Sequence, residues 1–199
     1  MFKILIATHN SHKAVELEHF LQSDKVELKT FSDIGYDDDV VEDGKTFEEN
    51  ALIKARVAAK LGYIGIADDS GLCVDCLDGE PGVYSARYAG EPCDDEKNND
   101  KLLDRMNDIA DSERTAKFVS VIACVTPDGT EFCCRGECPG IILRERRGNG
   151  GFGYDPLFLY QELNKTFAEM NSEEKNSVSH RARAMKLFAK EFSRRILKC

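Results

Sequence analysis

The chain has 199 residues, 42% of them hydrophobic and 32% charged, with a formal net charge of -9. That length suits one compact domain or two lobes sharing a core; the composition is that of a soluble globular protein, and the acidic balance argues against general nucleic-acid binding. No apolar run approaches the length of a membrane-spanning helix. The opening Met1-Phe2-Lys3-Ile4-Leu5-Ile6-Ala7-Thr8 carries too short an apolar run for a signal peptide, so the expected location is cytoplasmic.

Lys3 to Thr8 reads as a buried strand running into a polar turn. Asn10 or Ser11 can cap a helix beginning near His12, with Ala14, Leu17 and Leu21 as its apolar stripe and Phe20 beside it. A strand, a short turn and a helix start at residues 8–13 form a natural anion site, because the first helical N–H groups lack partners. His12, Glu16 and His19 share one face of that helix; the spacing can hold a metal, but solvated side chains are the expectation. Glu42-Asp43-Gly44-Lys45-Thr46 contains a Gly-Lys-Thr, yet Asp39 stands where a phosphate loop needs glycine, so it is no P-loop. Thr46-x-x-Glu49 is a capping box for a helix that runs to Leu61 and stops at Gly62, with Ala51, Ala55, Ala58 and Ala59 as a small-residue face.

Ile64 to Ala67 reads as a short buried strand that ends in Asp68-Asp69-Ser70-Gly71. Asp94 or Asp95 can cap a helix carrying Leu102, Leu103 and Met106. Ala116 to Val125 is a long strand, turned back by Pro127-Asp128-Gly129 into Thr130 to Arg135. Ile141 to Leu143 and Leu157 to Tyr160 are further strands. Ser179 to Leu197 is a closing amphipathic helix with Met185, Phe188, Phe192 and Ile196 on one face. Strands and helices alternate in both orders, which predicts a mixed α/β sheet. Charge is uneven along the chain: from Arg144 onward there are 12 Lys and Arg against 7 Asp and Glu, and before it 15 against 29. Either a local cationic wall or a solvated basic helix follows from that.

Three segments carry the chemistry. Asp68-Asp69 at the carboxyl end of a strand would face a ligand crevice. Paired carboxylates suit Mg²⁺, which takes one or two of them plus waters and substrate phosphates; one can instead act as a general base, and an ordinary turn is the alternative. Gly148-Asn149-Gly150-Gly151-Phe152-Gly153-Tyr154-Asp155-Pro156 puts two aromatics among glycines. Phe152 and Tyr154 offer faces for a base. Gly148, Gly150 and Gly153 match G-x-G-x-x-G, but Pro156 and a strand follow instead of a helix, which rules out a dinucleotide fingerprint. Lys175 and Ser179-His180-Arg181 open the basic last helix, with a point charge and a fixed fork of donors for phosphate. The eight cysteines include Cys73-x-x-Cys76 and the group Cys133, Cys134, Cys138. A zinc reading is weak because strand neighbours such as Cys133 and Cys134 point to opposite faces, and small buried hydrophobes are the expectation.

Six motifs in this order, Thr8-His9-Asn10-Ser11-His12-Lys13, Thr46 to Ala51, Ala67 to Leu72, Gly82-Val83-Tyr84-Ser85-Ala86-Arg87-Tyr88, Gly151 to Pro156 and Ser179-His180-Arg181, resemble the inosine/xanthosine triphosphate pyrophosphatase family over nearly the whole chain. The resemblance implies one domain, 1–199, with an elongated two-lobed mixed sheet, flanking helices and an active cleft between the lobes. It implies Mg²⁺-dependent cleavage of ITP, dITP and XTP to the monophosphate and pyrophosphate, by a cytoplasmic homodimer with no stable nucleic-acid or membrane partner. Thr8, Asn10 and Lys13 match the family's phosphate-binding residues. Asp69 matches its catalytic acid and metal ligand, with Asp68 beside it and Glu42 as a further metal carboxylate. Ser70, Phe152, Gly153, Tyr154, Asp155, Lys175, His180 and Arg181 match its nucleotide contacts, Phe152 stacking on the base and the last two reaching its edge. One position departs: relatives carry two acids before the glycine of the second motif, and here Val41-Glu42 precedes Asp43. The competing readings are a pyrophosphatase for other modified nucleotides and a binding module without turnover.

Overall fold

A computed structural model of the chain describes residues 1–8, 17, 21, 26–38 and 40–197. These divide into two compact units. The first is Met1–Asp69, Ser120–Gly136 and Arg183–Cys199; the second is Ser70–Val119 and Glu137–Ala182. Seven strands form one open sheet in the order β2-β1-β3-β4-β5-β6-β7. They are β1 (Phe2–Ile6), β2 (Val26–Thr30), β3 (Ile64–Val74), β4 (Thr115–Val125), β5 (Glu131–Ile142), β6 (Phe158–Tyr160) and β7 (Lys165–Thr166). β1 runs parallel to both β2 and β3, whereas β6 is antiparallel to β5 and β7. The sheet is therefore mixed, as expected, with helices around it.

In the first unit, Ile4, Ile6, Ile64, Ile66, Ile122 and Phe132 pack with Met185, Phe188 and Phe192 of the closing helix. Leu17 and Leu21 are helical and join that core. Helix α1 (Phe47–Lys60) opens with Thr46 as N-cap. The Thr46 side chain accepts from the Glu49 N–H and the Glu49 side chain reaches back, the capping box the sequence predicts. Gly65 lets α1 approach β3 closely: a Cβ there would lie 2.0 Å from the Ala55 carbonyl oxygen. In the second unit, Leu72, Val74, Leu102, Met106, Phe118, Phe158 and Phe167 form a separate apolar cluster. Helix α2 (Asp95–Arg105) is capped by Asp94, whose side chain accepts from the Lys97 N–H.

Three expectations are corrected. β3 does not end at Ala67 but continues through the acids to Val74. The polar Asp68-Asp69-Ser70-Gly71 interrupts the apolar pattern, yet Leu72 and Val74 beyond it are fully buried and carry the strand onward. The segments Thr130–Arg135 and Ile141–Leu143 belong to one strand, β5, in which every second residue from Phe132 to Ile142 is buried. Cys134, Gly136, Cys138 and Gly140 fill its inward positions, so its period of two is faint in hydrophobicity alone. The closing helix is preceded by a short one: α3 (Ser172–Val178) ends at extended Ser179, and α4 (His180–Phe192) follows, finishing in a π turn at Ser193–Leu197. Of the cysteines, Cys124, Cys134 and Cys138 are buried, Cys73, Cys76 and Cys133 are half-buried, and Cys93 is exposed. No helix among the described residues is long and apolar enough to cross a membrane.

Candidate active site

The first unit builds an acid–lysine–acid group. Strand alternation places Asp68 and Asp69 on opposite faces of β3, and both are buried. On α1, the buried positions Phe47, Asn50, Ala51, Lys54, Ala55 and Ala58 follow the helical period, so Lys54 lies on the face turned inward. Its ammonium is 2.9 Å from Glu42 Oε2 and 3.4 Å from Asp69 Oδ1. Glu42 is delivered by a loop pinned to the same helix. The Gly44 N–H donates to Asn50 Oδ1 at 2.9 Å, and the Lys45 N–H donates to Glu49 Oε2 at 2.6 Å. Burial pushes the Lys54 ammonium down, but Asp69, Glu42 and Asp68, in falling order of effect, outweigh it and hold its pKa above the ordinary lysine value. Lys54 is thus a fixed positive charge, only 8% exposed. Val41, beside Glu42, is 73% exposed.

The donor set fits a hard divalent cation. Two carboxylates from separate elements, Glu42 and Asp69, converge on one ammonium, and oxygen ligands of that type suit Mg²⁺. Among the described residues, no three His, Cys, Asp or Glu side chains form a metal cage by themselves. Mg²⁺ characteristically leaves several positions to water and substrate phosphates, so one or two protein carboxylates suffice.

The second unit builds an aromatic loop. Phe152 stands 60% exposed between Gly151 and Gly153, whose φ values are +75° and +58°. The buried Asp155 organises the turn: its Oδ2 accepts from the Phe152 N–H at 2.9 Å and from Lys175 Nζ at 2.5 Å. A Cβ on Gly151 would lie 2.0 Å from that oxygen, so glycine is required there. Lys175 Nζ also sits 5.0 Å from the centroid of the Phe152 ring, a cation–π distance that stiffens the aromatic's base. Tyr154 differs from the expectation. Its ring is 4% exposed in the core, and its hydroxyl donates to the Ser85 carbonyl at 2.8 Å, so only Phe152 offers a free face. Burial, first, raises the Tyr154 phenol above its ordinary pKa, which keeps that donor protonated. Arg181 Nη2 lies 3.5 Å from Ser70 Oγ, at the outer limit of a hydrogen bond. His180 is buried and stacks on Phe118, with ring centroids 4.8 Å apart.

The structure therefore brings together Glu42 with Asp69, Phe152 with Asp155 and Lys175, and Ser70 with Arg181. Thr8 lies just past β1, its N–H donating to the Ile6 carbonyl. Asn10 and Lys13 lie outside the described residues, as do His12, Glu16 and His19. The basic excess after Arg144 is largely engaged in ion pairs: Arg144 with Asp111, Arg146 with Asp100, Arg147 with Glu169, and Arg194 and Arg195 with Glu191. No sequence motif singles out Lys54. A signal for it existed, because a lysine on the alanine face of an amphipathic helix must find an acid when that face is buried.

The first unit thus carries a buried carboxylate–lysine–carboxylate group, and the second a glycine loop that presents one aromatic. The Ham1 family model matches residues 4–191, and the chain belongs to that family. The dITP/XTP pyrophosphatase of Clostridium perfringens (strain 13 / Type A) is 48% identical over 93% of this chain and 94% of its own length. That of Geobacter sulfurreducens is 50% identical over 94% of each. The solved structure of a HAM1 protein from Coxiella burnetii is 37% identical, with a TM-score of 0.91 over 98% of this chain and all of that one.

Proposed function

We propose that the chain hydrolyses the non-standard purine nucleoside triphosphates ITP, dITP and XTP to the monophosphate and pyrophosphate, with Mg²⁺, and so keeps these nucleotides out of DNA and RNA. Relatives named dITP/XTP pyrophosphatase at about half identity support the reading. The observation that carries it is the buried lysine shared by Asp69 and Glu42. The working form is a cytoplasmic homodimer.

In this reading the Asp69 carboxylate orients the attacking water and accepts its proton. Lys54 keeps Asp69 and Glu42 ionised by its charge. Glu42 and Asp69 are the carboxylates that would hold Mg²⁺, which when bound would neutralise phosphate charge; Asp68, on the opposite face of the strand, adds negative charge near Lys54 but no ligand to the same ion. Thr8, Asn10, Lys13 and Ser70 serve the phosphates and sugar. Phe152 stacks on the base, on a loop shaped by Gly153, Tyr154, Asp155 and Lys175. Donors from His180 and Arg181 favour a 6-oxo purine, because a 6-amino group would leave them unpaired.

The test is release of pyrophosphate and monophosphate from ITP, dITP, XTP, dGTP and dATP, with Mg²⁺ and then with EDTA. Fast release from the first three, lost in EDTA, is the expected result. Orthophosphate release, equal rates on all five, or no turnover would overturn it.

A further inference from the structure

Helix α2 lies outside every motif that carried the family resemblance, yet its first turns end on the aromatic loop of the same unit. Asp95 Oδ2 accepts from the Gly153 N–H at 2.7 Å, and Asn99 Nδ2 donates to the Gly153 carbonyl at 2.8 Å. Asn99 is 1% exposed, and the same Nδ2 donates to the Asp95 carbonyl at 2.9 Å, so its amide is fixed by its own helix. One residue, Gly153, thus has both backbone polar groups held by two side chains one helical turn apart. The neighbouring Asn98 does the same for another loop. It donates to the Ala86 carbonyl at 2.9 Å and accepts from the Ala89 N–H at 2.7 Å.

The physical need is clear at Phe152. A residue between two glycines of positive φ sits in the most permissive backbone a chain can offer, and ordering it costs the most entropy. Its own N–H is tied to Asp155, but that fixes only one side. The other side is Gly153, with no side chain to pack. An exposed aromatic can stack productively only if its backbone is ordered beforehand.

We propose that Asp95 and Asn99 are positioning residues for base recognition: by clamping Gly153 they hold the Phe152 ring in its presented pose. The proposal rests on the reading above that Phe152 stacks on the base. They touch no reacting atom, so their loss acts on KM and leaves kcat nearly unchanged.

The test compares three variants for ITP turnover, together with amide hydrogen exchange of the segment 150–155 in the free protein. Asp95→Ala removes the acceptor and is expected to raise KM about fivefold, the weight of one ordinary hydrogen bond. Exchange in the segment rises with it. Asp95→Asn keeps an acceptor oxygen at the same place and restores both readouts. Asp94→Ala removes the N-cap of the same helix without touching the loop; it lowers Tm but leaves KM and exchange at the wild-type values. An unchanged KM and unchanged exchange in Asp95→Ala overturns the proposal, as does an equal rise in KM in Asp94→Ala. If the wild-type protein does not turn over ITP, the proposed function fails, and the exchange measurement still decides whether Asp95 orders the loop.

Discussion

Asp69 lies within an 11-residue strand and Lys54 within a 14-residue helix, whereas Phe152 lies in a segment without a ladder, between two glycines of positive φ. In the first group, the Asp69–Lys54 pair takes its order from regular elements whose backbones satisfy themselves, and its side chains need only reach one another, while Glu42 comes from a loop pinned to the same helix. The second takes its order from side chains that end on backbone: Asp155 on the Phe152 N–H, and Asp95 and Asn99 on either side of Gly153. Charge chemistry is thus placed on rigid scaffold, and a replaceable contact face is placed on a loop with borrowed supports. Damage to the first should remove turnover; damage to the second should weaken binding and spare the chemical step.

The largest effect should come from Asp69→Asn. The carboxylate loses its basicity while shape is kept, so kcat for ITP should fall about 10²–10⁴-fold, the weight of a general base. The Tm should stay near the wild-type value. Pyrophosphate release at saturating ITP checks it, and normal turnover would remove Asp69 from its role.

Lys54→Met should follow. Removing the shared cation leaves Glu42 and Asp69 facing each other, which costs about 1–3 kcal/mol, less than for a fully buried pair because the Glu42 side chain is a third exposed. kcat/KM should fall about 10²-fold. Adding Mg²⁺ should recover part of the lost Tm, since a divalent cation can stand between the same carboxylates. A variant whose Tm deficit ignores Mg²⁺ would separate the lysine site from the metal site.

Phe152→Ala should act on the other side of the comparison. Stacking on an aromatic is worth about 1–3 kcal/mol per base, so KM should rise about 5- to 100-fold with kcat within about twofold of wild type. The ring is 60% exposed, so the fold should not respond. A fall in kcat with unchanged KM would break the division between the two regions.

The two regions also differ in how far the sequence discloses them. The glycines around Phe152 are visible as punctuation, because positive φ and close approach restrict the residue type at Gly151. The capping box at Thr46 and the cap at Asp94 are equally local signals, and both are present. Lys54 is hidden because a helical lysine is ordinarily solvated, and only the burial of its alanine face by β3 makes it a site residue. Asp95 and Asn99 are hidden because their partners are backbone groups more than 50 positions away. Tyr154 misled for the opposite reason: an aromatic beside glycines reads as free, and the Ser85 carbonyl that fixes it belongs to a distant turn. The length of β3 is hidden because three polar residues and a glycine look like an end when a second core lies beyond them.

The smallest effect concerns what the aromatic loop rests on. The Gly150 N–H donates to the Ala168 carbonyl at 3.1 Å, and Ala168 sits in the short turn Phe167–Glu169 that Thr166 and Glu169 cap. The side chain of Glu169 accepts from Arg147 at 2.7 Å and from the Thr166 N–H at 2.8 Å. Arg147 first, then that backbone donor, hold its carboxyl down at about 2, below the ordinary 4.5. A carboxyl depressed on folding adds stability above its unfolded pKa and loses that addition as pH falls toward the folded one. The window is therefore between about 4.5 and 2. Within it, the Tm advantage of the wild-type protein over Glu169→Gln should shrink and vanish, while above it the advantage should be constant. The group is solvent-exposed, so the advantage should be small and should weaken further in high salt. A difference that grows on acidification would mean that Glu169 is bound more weakly than its contacts indicate, and that the loop takes its support from α2 and Asp155 alone.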